Sequence, residues 1–389
     1  MTDMIDALAR VKEIADASVD AVIPQAGLRM QAAASISEGS RERGADPVYL
    51  LASTPEGQTP IRVLDGAHEQ IAAKLDIPLP YYRKMLADEP SLLSANVNRW
   101  LLRERNDNRL LRLLKPLPGE ATAPLEAVGA PFSLRAYLSD GYKVIDHLSA
   151  LKALLPEMEA HGATVERFEM GEKRMYVRVV TPTIDLLPTY KVGETVAIGL
   201  SLRNSETGHG AAAVEVFVKI LRCSNGMTVD EALRIIHSGK KVEAEADWTS
   251  DLTRRLTSAA DISKLRDRIR TGFSEKNREK VAAAIAAASG QRLDLPTGPA
   301  LLRFVQNVGT KYDLTKVERE ALADTTQEEL LQSGTMARDA SRFTVSQAFT
   351  ALARNTEDFD RRVEIEKIGW KVLVDPMEAL LKAERAASN

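Results

Sequence analysis

His68, His147, His161, His209 and His237 are the five imidazoles of the chain, and no two lie close enough in sequence to share a helix turn. A zinc site read from sequence needs His or Cys pairs two to five residues apart, so no metal site is expected. Asp146 and His147 are adjacent, but neighbours along a helix do not face each other. Cys223, the single cysteine, excludes an internal disulfide and a thiolate cluster. It follows an apolar run and reads as a small buried hydrophobe, not a nucleophile. No Gly-x-Ser-x-Gly elbow occurs. His237-Ser238-Gly239-Lys240-Lys241 ends like a phosphate loop, yet it lacks the first glycine and follows a predicted helix where that motif requires a strand. No cofactor is implied and no enzyme is expected. One enzymatic alternative survives: Asn204-Ser205-Glu206 and Asn225-Gly226 are polar loops that could converge as a hydrolase or transferase pocket, provided Glu206 stood beside His209. Otherwise those residues simply build turns.

The remaining chemistry is charge. Arg99, Arg103, Arg105, Arg109, Arg112 and Lys115 fall within 17 residues, and a second basic stretch spans Arg254 to Lys280. A basic groove with aromatic platforms is what holds a single nucleic-acid strand, and Trp100, Tyr142, Tyr176 and Trp248 are the candidate platforms. The competing reading is a set of solvated helix faces with acids and bases paired along them. Net charge is -3, so the molecule as a whole is no polycation.

These residues need elements to carry them. Residues 1–20 read as an amphipathic helix, followed by strands at 48–52 and 61–64. An apolar stripe from Gly66 to Leu75, a break at Pro78 and Pro80, and a resumed helix to Leu86 form a helical pair. As a DNA-reading unit it would present Tyr81, Tyr82, Arg83 and Lys84; as an αα-hairpin it would bury one tyrosine. A helix at 91–105 and a strand at 109–114 follow. Lys115 to Pro131, with four prolines and two glycines, is the clearest linker. Beyond it come a strand at 132–138, a helix capped by Asp146, and strands at 164–168, 174–180, 196–202 and 214–220 that alternate with period two. A loop at 224–226 then leads into a helix at 229–237. Six further helical runs reach the C-terminus. The expected fold class is α+β: an antiparallel sheet with flanking helices in the middle and a helical C-terminal region. The expected divisions are 1–115, 132–241 and 250–389. With 44% apolar and 28% charged residues the chain has a globular composition. The lone cysteine, the acidic N-terminus and the lack of a long apolar run point to a cytoplasmic protein with no membrane partner.

Three stretches taken in order resemble a known family. They are Glu69-Gln70-Ile71-Ala72 through Tyr81-Tyr82 with Asn96-Val97-Asn98-Arg99-Trp100-Leu101; Leu134-Arg135-Ala136-Tyr137-Leu138-Ser139-Asp140 with Tyr142 and Ile145-Asp146; and Leu202-Arg203-Asn204-Ser205-Glu206-Thr207-Gly208 with Cys223-Ser224-Asn225-Gly226-Met227. Together they are similar to the phage- and plasmid-like proteins defined by domain of unknown function nine hundred and thirty-two, over about Gly66 to Met227, with Arg203 where Ser is expected. The resemblance implies a home on mobile genetic elements and a host-cytoplasmic location. It makes Asn204, Ser205, Glu206, Gly208, Asn225 and Gly226 motif-loop residues. The order of elements from Asp146 to His237 is also similar to the core of strand-annealing proteins of the Rad-fifty-two type, a likeness of fold that fixes no function. The function expected first is non-enzymatic binding of nucleic acid, single-stranded DNA in particular, extending to strand annealing by a homo-oligomer. Arg99, Arg103, Arg105, Arg109, Arg112, Lys115, Arg174 and Arg178 would hold phosphates. The alternative is a structural or regulatory factor that binds a host or phage protein.

Overall fold

The computed structural model describes residues 2–33, 47–54, 57–103, 107–118, 129–182, 184–185, 195–220, 225–228, 233–235, 251–295, 297–376 and 380. Alternating apolar residues build a first, six-stranded sheet from β1 (Ser18–Pro24), β2 (Leu28–Ala32), β3 (Val48–Thr54), β4 (Gly57–Val63), β5 (Asn108–Leu114) and β6 (Phe132–Ser139). Its strand order is β1-β5-β6-β4-β3-β2. Only the β4–β6 pairing is parallel. Leu28, Met30, Leu50, Ile61, Val63, Leu111 and Leu134 point to one face. There they meet α2 (Asp65–Lys74), α3 (Leu79–Asp88) and α4 (Pro90–Arg103).

The linker does not divide the chain between these units. β6, expected to open the second unit, inserts between β4 and β5 as a central strand of the first sheet. It supplies Leu134 and Tyr137 to the first core, so the sheet is incomplete without it.

The second sheet is antiparallel throughout. Its main strands are β7 (Thr164–Met170), β8 (Met175–Val180), β10 (Thr195–Asn204), β11 (Ala212–Ile220) and β12 (Asn225–Thr228), in the order β12-β11-β10-β8-β7. Short strands β9 (Ile184–Asp185) and β13 (Leu233–Ile235) pair with β10 and β11. Val177, Val179, Leu200, Leu202, Val214 and Val216 form one face, covered by α1 (Thr2–Ala17), α5 (His147–Ala160), α6 (Asp251–Gly272) and α7 (Glu275–Gly290). The remaining helices, α8 (Gly298–Lys311), α9 (Lys316–Ser333), α10 (Arg342–Arg354) and α11 (Phe359–Val374), share a third core around Phe304, Leu322 and Phe349. Among the described residues no helix is long and apolar enough to cross a membrane.

The architecture is mixed α and β, with antiparallel sheets and a helical C-terminal region. Two local expectations fail. Asn225 and Gly226 lie in β12, paired with Ile220 and Lys219, and not in a loop. The described part of 229–237 is strand β13, because its apolar residues Leu233 and Ile235 pair with Val214 and Ala212 at a sheet edge. The helical pair at 65–88 is an αα-hairpin: Tyr82 is wholly buried, its hydroxyl 2.8 Å from His68 Nδ1, and Tyr81 is exposed. Arg83 lies against Asp65 and Glu69.

Candidate functional site

The turn between β10 and β11 is the most heavily bonded loop among the described residues, and it is polar yet buried. Asn204, Ser205, Glu206 and Thr207 are each at most 2% exposed. Gly208 lets it enter: its φ is +81°, and a Cβ there would sit 2.6 Å from Leu138 Cδ2. Only glycine combines that backbone with that approach. The turn projects from the second sheet against β5 and β6 of the first, beside Arg112 and Leu138, and touches α2.

Glu206 is held from both sides. Arg135 Nη1 donates to its carboxylate at 2.5 Å, and the backbone N–H of His147 donates at 3.0 Å. The latter places a negative charge on the N-terminus of α5, where free N–H groups and the helix dipole favour it. Asp146, the expected cap, occupies the N-cap position without a side-chain cap bond, because its carboxylate accepts from Arg112 Nη2 at 2.8 Å. Glu206, sixty residues on in sequence, caps the helix in its place.

Arg112 is the hub. Its guanidinium donates to Asp20 at 3.0 Å, to Asp146, and to the carbonyl of Glu206 at 2.9 Å. Asn204 Nδ2 donates to the carbonyl of Ile145 at 2.8 Å and lies 3.0 Å from His147 Nδ1. An amide nitrogen can only donate, so His147 Nδ1 accepts and the ring carries its proton on Nε2. Burial pushes the His147 pKa down to about 4, consistent with a neutral ring. Burial opposes the Glu206 charge, but the His147 ring (once protonated at acidic pH), the Arg135 and Arg112 guanidiniums and the His147 backbone N–H outweigh it and bring the carboxyl down to about 2. Gln70 ties in α2: its amide donates to the carbonyl of Thr207 and accepts from the N–H of Tyr137. Tyr142 donates to the carbonyl of Ser205 at 3.1 Å.

One segment of each motif stretch, through Gln70, through Arg135 to Asp146, and through Asn204 to Gly208, thus meets in one buried junction that joins the two sheets. Its chemistry is structural. The hydroxyls of Ser205 and Thr207 face the carbonyl of Lys173 at 2.7 and 3.2 Å and are out of solvent, so neither serves as a nucleophile. The two polar segments do not converge, so the enzymatic alternative loses its pocket. Asn225 pairs with Ile220, at the far end of β11 from the 205–211 turn. Eight residues of strand separate those ends, roughly 27 Å. Glu206 does not stand beside His209 either; the carboxylate nearest His209 Nε2 is Glu69, at 3.9 Å.

An open cleft of about 770 Å³ flanks the junction, lined by Glu69, Glu169, Glu172, Lys173, Arg174, Tyr176 and His209 among others. Its charges are internally matched. Lys173 lies 2.6 Å from Glu69, Gly66 N–H donates to Glu172, and Arg174 contacts Asp360 and the carbonyl of His209. Burial, and then the neighbouring Lys173, lower the His209 pKa. Among the described residues no group of His, Cys, Asp and Glu is placed to hold a metal ion.

The arginines proposed for phosphate binding do not form one track. Arg109, Arg112 and Arg178 are buried. Arg109 packs over Tyr137 and contacts Asp107. Arg178 is clamped by both oxygens of Glu366. Arg99, Arg103 and Lys115 are exposed, but Arg99 and Arg103 ride on α4, across the first sheet from Arg112. Arg105 lies outside the described residues, as do Cys223, His237 and Trp248. The physical reason is plain: Arg109 and Arg112 sit in a strand buried on both faces, where a guanidinium requires a carboxylate close by.

No family model, curated protein or solved structure matches the chain. The resemblance to the phage- and plasmid-like proteins therefore rests on the motifs, part of which builds the junction. Asn98, from the first of them, illustrates the same use. Its amide accepts from Met30 N–H at 2.7 Å and donates to Met30 C=O at 2.8 Å, closing the free edge of β2 as a neighbouring strand would. Arg203, the position that departs from the resemblance, contacts Glu215 and Asp360 where α11 docks.

Proposed function

We propose that this is a non-catalytic nucleic-acid-binding protein of the phage- and plasmid-like type, and that a single strand lies across the outer face of β2, β3 and β4. One observation supports this placement above the others. Those three strands contain no Asp or Glu, and their outward side chains include Arg29, Gln31, Tyr49, Leu51 and Arg62. Tyr49 pairs directly with Arg62 on β4 and Gln31 on β2, with Arg29 one outward position further along β2. An aromatic ring between guanidiniums on a sheet surface suits base stacking beside phosphate neutralisation, and it needs no nucleophile or metal. The buried junction contributes rigidity, fixing the first sheet against the second. Strand annealing is the finer activity consistent with this surface.

The test is fluorescence anisotropy with a labelled single-stranded oligonucleotide at two salt concentrations. Affinity should fall as salt rises. Tyr49→Ala should weaken binding by about fivefold or more, the loss of one stacked base, and Arg29→Glu should flatten the salt dependence. Absence of binding, or equal affinity in wild type and both variants, overturns the proposal.

A further inference from the structure

Among the described residues, two helices present unpartnered faces of opposite charge, each framed by exposed apolar side chains. On α4, Leu92, Ala95, Arg99 and Leu102 recur at intervals of three and four residues, so they form one outward stripe. Leu92 is 50% and Leu102 67% exposed. Arg103 flanks the stripe with its guanidinium stacked on Trp100 at 4.5 Å. On α9, Val317, Glu320, Asp324, Glu328 and Leu331 form the outward stripe. Val317 is 74% and Leu331 82% exposed, with Met336 just beyond.

Both stripes have the same layout, an apolar residue at each end and charge between. They differ in sign. α4 carries Arg99 and Arg103; α9 carries Glu320, Asp324 and Glu328. In the junction, the cleft and the α11 dock, charge is matched within the chain. Arg99, Asp324 and Glu328, by contrast, have no ion partner among the described residues. Large apolar side chains this exposed, at both ends of a charged row, are the mark of a contact surface. The apolar residues span roughly 15 Å on α4 and roughly 21 Å on α9, at 1.5 Å per residue, so the shorter stripe fits within the longer.

We propose that the partner of each stripe is a second copy of this chain, with α4 of one molecule docked on α9 of the next. The stripes belong to different cores, the first and the third. If α4 and α9 of two copies engage each other reciprocally the assembly closes as a two-fold dimer; if only one such contact forms per pair it propagates head-to-tail into a ring or an open filament. Helices of 14 and 18 residues offer an interface at the small end of the specific range, so assembly should depend on concentration and weaken with salt. The inference is independent of nucleic-acid binding.

Sedimentation velocity on the full chain tests it. The wild type should grow in sedimentation coefficient with concentration and shrink at high salt. The double variant Arg99→Glu/Arg103→Glu should weaken self-association by at least about tenfold, and Asp324→Arg/Glu328→Arg likewise, through like charges brought face to face. An equimolar mixture of the two variants should assemble again, since each then offers what the other lacks. That recovery also shows both variants to be folded. A wild type that stays monomeric across the concentration range, a charge-reversed variant that assembles like wild type, or a mixture that stays monomeric overturns the proposal.

Discussion

Glu206→Gln removes one charge and almost no volume from the junction, which isolates the electrostatic part of its role. The substitution leaves Arg135, 5% exposed, without its carboxylate. Breaking a buried pair from one side costs about 3–5 kcal/mol. A second route gives a similar figure. The Glu206 carboxyl is held at about 2 against an ordinary 4.5, which sets an upper bound of about 3 kcal/mol at neutral pH, where His147 is neutral and the guanidiniums and the His147 N–H act without it. The sign follows from the depressed folded value: this stability is complete above the unfolded pKa and disappears as pH falls from about 4.5 to about 2. Gln still accepts from the His147 N–H, so the lower end, about 3 kcal/mol, is expected. Urea unfolding of wild type, Glu206→Gln, Arg135→Met and the double variant measures it. The two single losses should not add; the double variant should be more stable than their sum predicts by about 2 kcal/mol, because it buries no lone charge. A loss under about 1 kcal/mol for Glu206→Gln, or strict additivity, refutes the reasoning.

Burial lowers His68 and His147 to about 4 from 6.5. Each therefore favours the folded state when neutral, and thermal melts should show stability declining as pH falls from 6.5 towards 4, by up to about 3 kcal/mol per ring. Replacing His147 with Asn should reduce that slope. Asn98→Ala should cost about 2 kcal/mol by unpairing both Met30 backbone groups, and light scattering should register aggregation through the opened β2 edge. Gly199→Ala should destabilise by about 3 kcal/mol or more in urea titration, since its Cβ would overlap the Phe217 ring and sit 2.5 Å from the Val179 carbonyl.

Strands with clean alternation are legible in the sequence, as at Met175–Val180 and Ala212–Ile220, because one face is apolar and register follows from it. β1 is hidden, since Ser18–Pro24 is short and directly continues a helix. The place of β6 is hidden too: a proline-rich linker says where a chain turns, not which strand it rejoins. The junction is half visible. Its polar loop stands out, but Asn, Ser, Glu and Gly look alike whether they make a solvated turn or a buried one. One signal does separate the cases: Arg109 and Arg112 alternate with leucines that fill both faces of a strand. Arginines so flanked are internal: the Arg112 carboxylates, Asp20 and Asp146, come from β1 and the N-cap of α5, and Asp107 lies two residues before Arg109.

The insertion of β6 between β4 and β5 bears on synthesis. β4 is made about seventy residues before β6, so its inner edge stays unpaired in the nascent chain until β6 emerges. Chaperones would meet this protein during that interval. A fragment ending at Lys115 would be trapped there permanently, and any truncation meant to yield the first sheet must extend through Ser139.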